Sequence, residues 1–381
     1  MRSAYEHPLE NRPLRIVLVL WGGYLGGAES FTGELARAIA AGGAETSVLF
    51  ILDGLALGER LEREGIHHSA LHLGRGREIV LAPRRFARAV TGLGADVAIL
   101  VEAGWFPAVL RVGGFREPIV GVEHGSSLQL GRHSPIQRAV RATALRMGMN
   151  ACSAVVGVSR YMVSRISSGR PRHQRVVCIP NGVDLERFSP RNGGEHGQDM
   201  VVGCAARLVK GKGVEDVLEA LADPRLGRVK LRVAGDGEQL QALRARARSL
   251  GVDSRTEFLG AVLDMPSFWR STDLAVAPSR EVVESFGMSA VEAMACGKPV
   301  VATENGGLAE VVADGETGRI VSRGDVPALV SAIGAYLEDG ERRAAHGAAG
   351  RRRCELNYAI DHTAARYVAL CSDLVSARGR R

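Results

Sequence analysis

A chain of 381 residues with 46% hydrophobic and 24% charged residues, 47 glycines and 14 prolines excludes the fibrous and disordered classes and has the balance of a globular α/β protein. Its length is about twice the commonest domain size, so two packed cores are expected. The formal net charge of +7 lies wholly in the first half, since residues 1–190 hold 23 basic and 16 acidic residues and the remainder holds 26 of each.

The apolar runs 16–21 and 97–101 fall far short of the roughly 18 residues of a membrane span, so none is expected. Glu6 and Glu10 precede only a short apolar stretch with no small-residue cleavage site after it, which does not read as a signal peptide, and a cytoplasmic location is the expectation. The six cysteines form no C-x-x-C pair and have no histidine at ligand spacing, so they are expected to be ordinary buried thiols rather than a metal set.

In chain order, a buried strand (16–20), a glycine loop (22–27), an amphipathic helix (29–41) and a second apolar strand (47–52) make a βαβ opening. Strands follow at 96–101 and 119–123, then a helix at 136–149 and a strand at 154–158. Between residues 131 and 175 nine arginines meet no Asp or Glu, a patch that suits an anionic acceptor or an anionic membrane surface, with a plain solvated face as the alternative. Residues 190–198 have the composition of a linker.

The pattern restarts beyond it with strand 200–205, helix 214–222, strand 230–234, helix 238–250, strand 256–259, helix 265–271, strand 274–278, helix 285–296 and strand 299–303. Two sequential α/β units of this kind predict paired doubly wound domains. The boundaries are 1–190 and 191–360, with a final helix, 361–381, packing back toward the first domain.

Glycines 22, 23, 26 and 27 contain no G-x-G-x-x-G, so a nicotinamide-dependent oxidoreductase is disfavoured and a glycine turn feeding a helix N-terminus remains, a place suited to an anion. In the second half Arg207 ends a strand and Lys212 follows in the strand-to-helix loop, at the edge where doubly wound sheets bind ligands. A forked guanidinium and a mobile ammonium suit a diphosphate. Glu284 and Glu292 bracket the start of a helix that Ser285 is expected to cap and Gly297 to end. At about 1.5 Å per residue Glu292 would sit some 10 Å into that helix, too far for the two carboxylates to share a proton but suited to two hydroxyl-bearing ends of one extended ligand.

Pro278-Ser279, Glu284-Ser285-Phe286-Gly287 and the run from Glu292 through Gly297-Lys298-Pro299 to Thr303 resemble the signature of the family 4 retaining glycosyltransferases of the GT-B fold. Gly26-Gly27-Ala28-Glu29, Glu123-His124-Gly125, Ile179 to Asp184, Ala206-Arg207-Leu208 with Lys212-Gly213, Ala234 to Gly237 and Phe258-Leu259-Gly260 resemble its other marks, in order. The resemblance implies two Rossmann-like domains facing a cleft and a sugar transferred from a nucleotide diphosphate sugar, a UDP-sugar by family frequency, to a glycan, glycolipid or small-metabolite hydroxyl. It gives Arg207 and Lys212 the diphosphate, Glu292 the ribose, and Glu284 with the backbone of Ser285, Phe286 and Gly287 the sugar. Backbone near Gly260 and Val262 would meet the base, His124 would contact the donor sugar from the other domain, and the Gly26 and Gly27 amides would approach phosphate or acceptor. The stretch Arg280 to Val283 is a residue or two longer than the family pattern.

Retaining transfer in such a family resembles a front-face reaction in which the leaving phosphate takes the acceptor's proton. Neither a protein nucleophile nor a metal is then expected, and no nucleic-acid partner. A catalytically silent nucleotide-sugar-binding protein is the rival reading, disfavoured by the intact set Glu284, Glu292, Arg207, Lys212 and His124.

Overall fold

The computed structural model describes residues 12–22, 27–73, 76–125, 134–167, 175–190 and 199–379. The chain divides into two units, Met1–Gly182 with Ile360–Arg381, and Val183–Ala359. Residues 191–198 of the expected linker lie outside the described residues, and the chain leaves the first unit at Gly182, earlier than that linker.

The first unit runs β1 (Arg15–Leu20), α1 (Gly27–Ala41), β2 (Glu45–Phe50), α2 (Leu55–Arg63), β3 (His67–Ala70), α3 (Gly76–Leu81), α4 (Pro83–Gly92), β4 (Val97–Val101), α5 (Phe106–Val112), β5 (Ile119–Glu123), α6 (Pro135–Asn150), β6 (Ala154–Gly157), α7 (Arg160–Ser167) and β7 (Arg175–Cys178). Its seven strands are parallel in the order β3-β2-β1-β4-β5-β6-β7. The centre of this sheet is apolar without alternation, because helices cover both faces: every residue of β4, β5 and β6 is buried. The order reverses between β1 and β4, the switch point of a doubly wound sheet.

The second unit runs β8 (Met200–Ala205), α8 (Val214–Leu221), β9 (Val229–Ala234), α9 (Leu240–Ser249), β10 (Thr256–Gly260), α10 (Met265–Arg270), β11 (Leu274–Ala277), α11 (Met288–Ala295), β12 (Val300–Thr303), α12 (Leu308–Val311), β13 (Gly318–Val321), α13 (Val326–Glu338) and α14 (Gly340–Asn357). Its six parallel strands are ordered β10-β9-β8-β11-β12-β13, with the switch between β8 and β11. The core joins β8 (Val202, Cys204), α8 (Val217, Leu218), β11 (Val276) and α13 (Ile333, Tyr336).

Behind α11 lies α14, which buries small residues, Gly347, Gly350 and Cys354, in place of an apolar stripe. A Cβ on Gly347 would stand 2.1 Å from the Gly297 carbonyl oxygen, so only glycine allows this approach. Arg351 donates to the carbonyls of Ala295 (2.9 Å), Phe188 (2.7 Å) and Leu185 (3.1 Å), placing a cation at the negative end of α11.

The final helix, α15 (Ile360–Gly379), belongs to the first unit and packs along α1. Tyr367 and Cys371 are fully buried in it, Thr363 donates to the Pro180 carbonyl at 3.1 Å, and Asp373 pairs with Arg175 of β7 at 3.0 Å.

Candidate functional site

The loops after β8 and β11 leave adjacent strands at the switch point and diverge to α8 and α11, which opens a crevice at the carboxyl edge of the second sheet. Gly213, at the start of α8, has φ +75°, and a Cβ there would meet the Pro278 carbonyl oxygen at 1.9 Å; a glycine therefore brings the two loops together. The Gly211 carbonyl, two residues earlier, accepts from the amides of Arg280 (2.9 Å), Glu281 (3.0 Å) and Val282 (3.2 Å). The stretch that is longer than the family pattern is thus wrapped on the β8 loop. Arg280 also reaches the buried Asp216 of α8 at 3.1 Å, whose carboxyl is shifted up by burial.

This wrapping joins two side chains to which separate duties were expected. Lys212 Nζ lies 2.5 Å from Glu284 Oε1, and Ser279 Oγ donates to that same oxygen at 2.5 Å. The side chains of Lys212 and Glu284 are only 12% and 21% exposed, so the pair is held largely out of water. Arg207 is exposed, and its guanidinium makes no hydrogen bond or ion pair among the described residues. One paired ammonium and one available guanidinium therefore flank the crevice.

The expected cap of α11 is corrected by the structure. The helix begins at Met288, three residues later than Ser285, with Gly287 as its N-cap at φ +105°, a left-handed backbone that disfavours a side chain. Glu292 is consequently about 6 Å along the helix axis from its first residue, against the expected 10 Å. Its Oε2 accepts from Trp269 Nε1 of α10 at 3.1 Å. Phe286 is buried against Tyr358 with ring centroids 5.5 Å apart, which leaves its backbone as the part able to meet a ligand. Gly297 ends α11 at φ +75°, as expected.

Gly260 closes β10 at φ +68° with open space where a Cβ would be, and Val262 is half-buried just beyond it. Both lie at the far edge of the sheet, two strands from the switch point. In the first unit His124 follows β5; its Nε2 meets Asn181 Oδ1 at 3.3 Å and its ring stands edge-on to Phe31. Burial holds the imidazole below its ordinary pKa, and its buried Nδ1 has no hydrogen-bond partner among the described residues. Gly27 is the exposed first residue of α1, whereas Gly26 lies outside the described residues.

Two family models divide the chain, "Glycosyltransferase Family 4" over residues 25–187 and "Glycosyl transferases group 1" over residues 186–353. The GDP-mannose-dependent alpha-(1-6)-phosphatidylinositol monomannoside mannosyltransferase of Mycolicibacterium smegmatis is 33% identical over 305 residues, 73% of this chain and 78% of that protein. The chain belongs to the group 1, family 4 glycosyltransferases. The lipopolysaccharide core biosynthesis mannosyltransferase LpsB of Rhizobium meliloti is 31% identical over 58% of this chain and 69% of its own length. Among solved structures, Anabaena HepE in complex with UDP and glucose superposes with a TM-score of 0.80, covering 94% of this chain and 99% of that one at 24% identity, a likeness of fold.

One residue of the candidate site carried no sequence expectation. Asn305, buried in the loop after β12, donates to the carbonyls of Ser279 (2.9 Å) and Val282 (3.0 Å) and accepts from the Glu284 amide at 3.2 Å. It ties both ends of the Glu284 loop to a third strand. Asn305→Ala leaves the Val282 carbonyl and the Glu284 amide without these partners, while the Ser279 carbonyl keeps Thr303 Oγ1 at 2.7 Å, and is expected to cost about 1–3 kcal/mol of stability and to raise the donor KM. A thermal melt and donor kinetics equal to the wild type would contradict this role.

Proposed function

We propose that this glycosyltransferase is a retaining mannosyltransferase that takes GDP-mannose as donor and a hydroxyl of a lipid-linked glycan as acceptor, without a divalent cation. The observation that carries the placement of the donor is the Lys212, Glu284 and Ser279 cluster at the β8/β11 switch point, beside the N-terminus of α11. The first four amides of a helix have no intrahelical acceptor and carry the positive end of its dipole, so α11 and Arg207 add positive potential where a diphosphate would lie. Glu292 would take the ribose hydroxyls, the Gly260 and Val262 backbone the base, and Glu284 with residues 285–287 the sugar. His124, kept neutral by burial, would meet a sugar hydroxyl as a hydrogen-bonding group rather than as a cation.

In the front-face step the bond from the anomeric carbon to the diphosphate oxygen breaks while the acceptor oxygen bonds to the same face, and its proton passes to the departing phosphate. Lys212, Arg207 and the α11 amides would stabilise the charge that grows on the diphosphate.

The GDP-mannose and lipid-linked assignments rest on the names of the mycobacterial relative and of others like it, against the UDP-sugar expected from family frequency. A thermal-shift panel of GDP-mannose, UDP-glucose, ADP-glucose and their free nucleotides tests the donor, because a bound ligand stabilises by mass action. GDP-mannose is expected to raise the melting temperature most, and a shift with UDP-glucose alone would overturn that choice. Turnover with chelator present is expected to equal turnover with magnesium; loss that manganese or magnesium restores would refute the metal-free step.

A further inference from the structure

We infer that Asp216 and Arg280 form a positioning pair, which keeps the β8 and β11 loops joined when Lys212 leaves Glu284 for the donor diphosphate. The inference rests on the reading of this crevice as the donor site. Two ion pairs cross between the same two segments. Lys212 of the β8 loop meets Glu284; four residues after Lys212, in the first turn of α8, Asp216 meets Arg280, which lies four residues before Glu284. Their senses are opposite, since the first pair puts its cation on the β8 side and the second puts its cation on the β11 side.

An anionic ligand acts on the two pairs differently. A diphosphate competes with the Glu284 carboxylate for the Lys212 ammonium, and it carries the greater charge, so the first pair weakens as the new contact forms. The second pair does not exchange in this way. Asp216 is only 3% exposed, its Oδ2 is buried with no hydrogen-bond partner among the described residues, and the Arg280 guanidinium donates to its Oδ1 at 3.1 Å. Drawing Arg280 toward a ligand would leave that carboxylate buried and uncompensated, which is strongly unfavourable. Gly324, at φ +73° in the loop between β13 and α13, leaves room for the guanidinium, because a Cβ there would stand 3.3 Å from Arg280 Nε.

What the second pair holds is the backbone around the first. Arg280, Glu281 and Val282 give their amides to the Gly211 carbonyl, Gly211 precedes Lys212, and Ser279, next to Arg280, donates to Glu284. With Asp216 and Arg280 paired, Lys212 changes partners while Glu284 and its loop stay where the sugar would meet them. The geometry needed for transfer is thereby kept through the exchange.

The test needs no donor. Lys212→Ala removes the first pair in the free protein, and hydrogen exchange at the Arg280, Glu281 and Val282 amides reads whether the loops remain joined. Lys212→Ala alone and Arg280→Met alone are each expected to leave these rates within about threefold of the wild type, because one pair remains. Lys212→Ala/Arg280→Met is expected to raise them about tenfold or more, with the amides of β8 and β11 unchanged. If Arg280→Met lowers the melt through the unpaired carboxylate, Asp216→Asn/Arg280→Met removes the pair without leaving a buried charge and is expected to behave in the same way. With donor present, Arg280→Met is expected to lower kcat about tenfold and to change the donor Kd less, while Arg280→Lys, which can replace a contact made through one guanidinium nitrogen, keeps most of the rate. Exchange in Lys212→Ala/Arg280→Met no faster than in Lys212→Ala would overturn the inference. So would a tenfold rise in Arg280→Met alone, which would make the pair a plain structural tie. The expected exchange pattern in a chain that binds no nucleotide sugar would support the pair and count against the donor site.

Discussion

Replacing Lys212 by alanine is expected to lower turnover of the nucleotide-sugar donor by about a hundred- to a thousandfold at saturating donor, the size of effect seen when one preorganised charge donor is removed from developing negative charge. The ammonium is already held in place before any donor arrives. It is paired with Glu284 at 2.5 Å, Ser279 steadies the same carboxylate oxygen, and Asn305 fixes the backbone that carries it. Fixed charges of this kind need little reorganisation as the diphosphate departs. Lys212→Arg should not restore the rate, because a planar fork is larger than the compact ammonium that the pocket between the β8 and β11 loops holds. A kcat within threefold of the wild type in Lys212→Ala, with an unchanged melt, would remove Lys212 from the reaction.

Glu292→Gln is expected to weaken donor binding by about 1.5–3 kcal/mol, the value of a hydrogen bond to a charged group, or roughly 10- to 150-fold in Kd. Glutamine keeps an oxygen able to accept from Trp269 Nε1, so α10 and α11 stay joined and the fold is retained. What is lost is the charge on the acceptor for ribose hydroxyls. Titration calorimetry of donor against variant and wild type reads this directly, and an unchanged Kd would mark Glu292 as a residue that only ties two helices.

The central strands of both sheets were legible because burial on two faces writes an unbroken apolar run, as in Ile16 to Leu20 and Val97 to Val101. The edges were not. β3 reads His-His-Ser-Ala and is paired on one side only, so no apolar pattern marks it. Helix α14 was invisible for another reason: it packs by Gly347 and Gly350 and by arginine donors to carbonyls, which leaves no hydrophobic period along its 18 residues. At the site, the residue types Arg207, Lys212, Glu284 and Glu292 could be read from order and spacing, but their pairing could not. The Lys212 to Glu284 contact spans 72 positions and exists because Gly211 and Gly213 let the β11 loop fold onto the β8 loop. Asn305 gave only a turn signal, Asn-Gly-Gly, and its three hydrogen bonds depend on β12 lying beside β11. The late start of α11 likewise follows from the left-handed Gly287, which a capping serine two residues earlier concealed.

The most direct measurement is release of free nucleoside diphosphate from GDP-mannose by the purified chain, followed with and without a membrane-lipid extract as acceptor. Steady GDP release that the extract accelerates, with mannose recovered in the lipid fraction and both lost in Lys212→Ala, is the result predicted here. Saturable GDP-mannose binding with no GDP release above the buffer rate, extract or not, would contradict the account and leave a protein that binds the nucleotide sugar without transferring it.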